Sequence, residues 1–73
     1  MSRFEIQVSG PLPLALTAAI GIRFGPVDLI KDQERTALHG WIADQAALRA
    51  LLCLIWDVGC SVLSVVVRPA VAS

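Results

Sequence analysis

Charge is what this sequence has least of. Six basic and six acidic residues among 73 cancel, and together they make up only 16% of the chain, against about 25% in a typical soluble domain. A nucleic-acid reader needs a clustered Lys/Arg footprint, so no nucleic-acid partner is expected. Histidine occurs once, at His39, and neither a C-x-x-C nor an H-x-x-x-H spacing is present. A metal centre gathers several His, Cys or carboxylate ligands, and none is expected here. The glycines form neither G-x-G-x-x-G nor its lysine-bearing phosphate-loop counterpart. Ser61 and Ser64 lack the G-x-S-x-G context of an activated nucleophile. Nothing in the residues requires a cofactor, and no catalytic set is expected.

Cysteine is scarce too. Cys53 and Cys60 are seven residues apart, a separation of about 10 Å along a helix, whereas a disulfide needs Cα atoms roughly 4.4–6.8 Å apart. Both read as reduced, mostly buried thiols of a cytoplasmic protein. The opening MSRFEIQV alternates like a strand and lacks the charged start and apolar run of an export signal. No internal repeat or low-complexity tract is present.

What the chain has in excess is apolar surface: 56% of its residues are hydrophobic. Residues 1–73 make a single domain, and a domain this small buries only about 60% of its unfolded surface. That much apolar side chain does not fit inside one such globule, so association is the expected outlet.

The clearest element lies in the second half. Asp44 is placed to cap a helix, and Leu48, Leu51, Leu52 and Ile55 recur at i, i+3, i+4 and i+7 as one apolar stripe. Gly59 stands where a left-handed residue ends a helix. A strand follows through Val62–Arg68, apolar on both faces and closed by Pro69. Before the helix, Leu38 and Ile42 face one way and Ala37, His39 and Trp41 the other. Phe4, Ile6 and Val8 alternate with Arg3, Glu5 and Gln7 as a half-wetted strand. Val27–Lys31 reads as a further strand, joined to the one starting at Thr36 by the polar loop Asp32–Arg35. Pro11–Ile22 is expected to be irregular or a short helical segment over the sheet, and residues 69–73 a frayed tail. The expectation is α+β: a four-stranded, mainly antiparallel sheet in the order β-β-β-α-β, with one main helix on one face. The other face would carry Ala37, His39, Trp41, Val62 and Val66 beside Arg3, Glu5 and Gln7.

From Thr36 to Val65 the run T-A-L-H-G-W-I-A-D-Q-A-A-L-R-A-L-L-x-x-I-W-D-V-G-x-x-x-L-S-V resembles a group of short bacterial proteins of unassigned function. Their pattern is close to T-x-L-x-G-x-x-x-D-Q-A-A-L-x-x-L-L-x-x-x-x-D-x-G-x-x-L-L-S-V. The opening F-E-I-Q-V-S-G is similar to their first strand as well. The resemblance implies a small α+β domain and no activity. The chain departs from that group in two places. LPLALTAAIGI stands where the group carries aromatics, and Cys53, Leu54 and Trp56 stand on a helix face that is basic in the group. Both changes add apolar surface.

The first functional expectation is a non-enzymatic interaction module, a homodimer or a small accessory subunit of a larger bacterial assembly. Its contacts would come from Trp41, Trp56, Cys53 and Leu54, with His39 at the rim, because exposed Trp is enriched at binding hot spots. A second is a membrane-associated protein using Ala50–Val67, eighteen residues whose only charge is Asp57. Asp57 and Gly59 near the middle, and the change of period after Gly59, argue for two elements there instead. A third is a small-molecule-binding or thiol redox domain using His39 or Cys53.

Overall fold

The computed structural model describes residues 2–32 and 34–69. Six elements follow one another: β1 (Ser2–Ser9), α1 (Leu14–Phe24), β2 (Asp28–Lys31), β3 (Arg35–Ile42), α2 (Gln45–Asp57) and β4 (Val62–Pro69). The strands form one sheet in the order β2-β3-β1-β4, and every neighbouring pair is antiparallel. The α+β class and the four antiparallel strands are therefore as expected. The element order is not, because a second helix stands between β1 and β2.

That helix is the segment expected to be irregular or briefly helical. Pro13 precedes α1 with φ −59°, a value its ring imposes and a helix start accepts, so the prolines initiate the helix instead of breaking it. The Pro13 carbonyl accepts the first bond of the helix, from the Thr17 N–H at 3.1 Å, and a second from the Thr17 hydroxyl at 3.3 Å. Leu16 and Ile20, four residues apart, bury themselves in the core, while Leu14 and Ile22 remain exposed.

Helix α2 forms as its sequence dictates. The Asp44 carboxylate accepts the Ala47 N–H at 2.8 Å, which is the N-cap bond. At the other end Gly59 has φ +85°. Its N–H donates to Trp56 O at 2.9 Å and that of Cys60 to Ile55 O at 3.4 Å, the paired bonds of a Schellman stop. Leu51 and Ile55 are buried, and Leu48 and Leu52 lie against the core at its margin.

Because β1 runs antiparallel to both β3 and β4, those two are parallel to each other, and α2 carries the chain across β1 between them. In the same way α1 links β1 to β2 across β3. Two interleaved split β-α-β units result. Phe4, Ile6 and Val8 of β1, with Leu38 and Ile42 of β3, meet Leu16, Ile20, Leu51 and Ile55 in a single core. Thr36, the one polar residue that is buried among those described, donates to Gly10 O at 3.0 Å and ties the turn after β1 to the start of β3.

Two details set the packing. Gly40 is opposite Phe4 in the register, and a Cβ there would lie 2.9 Å from the Phe4 ring. The β1–β4 register also slips between Gln7 and Val8: Gln7 pairs with Ser64 but Val8 with Val62, leaving Leu63 over as a bulge. The slip turns Val62 into the core, correcting its expected place on the opposite face. Residues 50–67 do not form one helix, since they divide between α2 and β4. Among the described residues no helix is long and apolar enough to cross a membrane. Of the expected tail, Pro69 closes β4 and residues 70–73 lie outside the described residues.

These contacts make three stability predictions. Gly40→Ala overpacks the Phe4 ring and should cost about 1–3 kcal/mol in denaturant unfolding. Gly21→Ala, in α1 with nothing within 4 Å of the added methyl, should instead stabilise by about 0.5–1 kcal/mol. Removing the α2 cap with Asp44→Ala should cost about 0.5–2 kcal/mol.

Candidate functional site

With both helices on one side, the other face of the sheet is bare, and the register fixes what stands on it. Paired residues share a face, so one row across the sheet reads Asp28, His39, Glu5, Val66. The row beyond it, outward past Gly40, reads Trp41, Arg3, Arg68. Ile30, Ala37, Gln7 and Ser64 make a third row on the opposite side. The expected assignment of Ala37, His39, Trp41 and Val66 to this face, beside Arg3, Glu5 and Gln7, agrees with the structure.

The charges are unevenly matched. His39 Nε2 lies 3.4 Å from Glu5 Oε1, with side chains 25% and 40% exposed, so Glu5 is engaged along its own row. Arg3 stands over the Trp41 ring, its guanidinium carbon 5.9 Å from the ring centre, within cation–π range. Arg68 is directly opposite Arg3. Neither arginine has a carboxylate at ion-pair distance among the described residues. Like charges directly opposed across two strands destabilise the pair. Beside them is a shallow cavity of about 260 Å³ lined by Arg3, Phe4, Glu5, His39, Val66 and Arg68. A smaller hollow of about 160 Å³, which shares Arg3 and His39, extends to Asp28 and Trp41.

The five residues expected to make contacts do not form one patch. His39 and Trp41 stand on the open face of the sheet, whereas Cys53, Leu54 and Trp56 belong to α2 in the other layer. Within α2, Trp56 is 54% exposed and Cys53 is exposed. Leu54 is half-buried against the core. No three His, Cys, Asp or Glu side chains group as metal ligands among the described residues.

A second surface feature was not among the expected residues. Strand β4 is an edge of the sheet, eight residues long, and Leu63, Val65, Val66 and Val67 are all exposed on it. No charge occurs between Val62 and Val67. The other edge, β2, has only four residues and carries Asp28 and Lys31 at its ends, which is how sheet edges are ordinarily protected. The sequence marks β1 by its alternation and β4 by its β-branched run. Only the strand order reveals that β4 is an edge and that Arg3 meets Arg68.

The β-α-β-β-α-β order with strands arranged β2-β3-β1-β4 defines a small ferredoxin-like α+β domain. Within that class, the chain belongs to the family described as Domain of unknown function (DUF8691), whose model matches residues 3–66. No curated protein and no solved structure matches the chain.

The two thiols should differ in access. Cys53 is exposed and Cys60 partly covered, and neither is bonded to the other. In the native protein a maleimide should label one thiol per chain quickly and the second more slowly, with both labelled at once after denaturation. Mass spectrometry of the adducts checks the order.

Proposed function

We propose that this protein is a non-enzymatic interaction module that associates with a second copy of itself by adding strand to strand at the β4 edge. The observation that carries the reading is the contrast between the two sheet edges: one short and charged, the other long, rich in β-branched residues and uncharged until Arg68. An unpaired strand of that kind is a template for another. Self-pairing suits it. A two-fold axis at Val65 sets Leu63 of each copy against Val67 of the other, and Ser64 against Val66. It also keeps the two Arg68 side chains apart, each opposite a Val62. The patch is then its own complement, as a two-fold interface requires.

Elsewhere the described surface agrees with association. Ten large hydrophobic residues are exposed, as many as the ten hydrophobic residues that are buried. In this reading Asp44-Gln45-Ala46-Ala47-Leu48 and Asp57-x-Gly59, the most specific part of the bacterial pattern, form the start and stop of α2. Their role is to place β4 rather than to make contacts.

Light scattering and native mass spectrometry should find a dimer in the micromolar range. Val65→Lys sets two ammonium groups against each other at the axis and should give a folded monomer. Trp56→Glu, on the α2 surface, should leave the dimer intact. A wild-type monomer across that range overturns the proposal, as does loss of the dimer with Trp56→Glu but not with Val65→Lys.

A further inference from the structure

The open face holds a feature that strand pairing does not use. Arg3 and Arg68 are directly opposite in the β1–β4 register, both exposed, and border the same cavity of about 260 Å³. The chain has as many acidic as basic residues, so carboxylates were available to separate the two cations. None reaches them among the described residues, and the nearest in sequence to Arg3, Glu5, is turned to His39. Two arginines opposed in register line one hollow, whose single carboxylate, Glu5, is held at His39, and each guanidinium is a planar donor fork that carboxylate and phosphate oxygens match. The Trp41 ring under Arg3 narrows the positions that guanidinium can take, so less freedom is lost on binding.

We propose that this hollow binds a small oxyanion, a carboxylate or phosphate group held between Arg3 and Arg68, with the rest of the ligand along Val66 and His39. The volume is slightly below the roughly 300–1,000 Å³ of drug-sized pockets, so the ligand is a small organic acid or phosphate ester. A nucleic-acid strand fits less well, because the chain is neutral overall and offers no basic track along which a backbone would run. The site is complete within one copy and stands whether or not the chain dimerises.

Trp41 supplies the readout. In a Trp56→Phe background it is the only indole, and its emission should change saturably when inorganic phosphate or benzoate is added. Chloride at matched ionic strength should do nothing. Whichever of the two anions acts at the lower concentration identifies the ligand as a phosphate or a carboxylate. Arg3→Gln and Arg68→Gln should each weaken the response at least about tenfold, the loss expected for a charge-assisted bond. In buffer free of either anion, Arg68→Gln should unfold no earlier than its parent, because it relieves a like-charge contact; this separates lost binding from lost fold. An equal response to chloride, or undiminished affinity in Arg68→Gln, overturns the proposal. So does binding of a single-stranded uridine oligomer where phosphate and benzoate fail.

Discussion

Phe4, Ile6 and Val8 form the line on which the rest of the molecule rests. Strand β1 is bonded along its length to β3 on one side and β4 on the other, and these three side chains are almost wholly buried beneath both helices. The Phe4 ring fits because Gly40, directly across from it, has no side chain. A core of ten hydrophobic residues in so short a chain leaves little redundancy, and small domains have narrow margins. The two neighbours of β1 therefore divide the work between them. Strand β3 closes the core under α1 and α2, and β4 covers the remaining edge of β1.

Strand β4 gives that cover incompletely. Its register partners on β1 are core residues, Phe4 opposite Val67 and Ile6 opposite Val65, yet both valines stay a little over a third exposed. Beyond Val62, which packs on the core, β4 is left partly uncovered. Burying the remaining surface of Leu63, Val65, Val66 and Val67 would yield about 3–5 kcal/mol per copy, taking roughly 1.5–3 kcal/mol for a fully buried side chain. Association costs about 4–15 kcal/mol in lost freedom. Main-chain bonding at the edge adds to the gain but leaves the balance close. A dimer formed this way is of moderate affinity, one that concentration can assemble and dissolve.

Much of this was legible in the sequence, and the illegible part has physical reasons. Helix α2 declared itself because three independent signals coincide in it: Asp44 at the start, the leucine stripe, and Gly59 with φ +85° at the end. The open face followed from the alternation of Ala37, His39 and Trp41. Helix α1 could be read only as an irregular or short helical segment because it lacks contrast. Leu14 and Ile22 are exposed while Leu16 and Ile20 are buried, so apolar residues occupy both sides and no stripe stands out. Val62 was misplaced because a one-residue bulge reverses the faces of a strand, and nothing in VLSVVV marks the slip. That His39 and Trp41 stand in one layer and Cys53, Leu54 and Trp56 in the other follows from the packing of α2 on the sheet, which the residue types alone do not carry. The Arg3–Arg68 pair needed the strand order, since nearly the whole chain separates the partners.

Strand β4 is where the two proposed activities meet. Val66 and Arg68 line the oxyanion hollow from the edge strand, and that same strand would pair with the second copy. An anion that neutralises Arg68 removes the repulsion from Arg3 and steadies β4 against β1, in the conformation a partner strand would meet. A partner strand in turn holds β4 in register and keeps Arg68 facing Arg3. If the two activities coexist, each must favour the other by the same factor, because coupling between binding equilibria is reciprocal. The coupling requires no movement of the helices, only a stiffer β4. The bulge at Leu63 lies at the opposite end of β4 from Arg68, so the segment between them, Ser64–Val67, is the length of strand that both events would order.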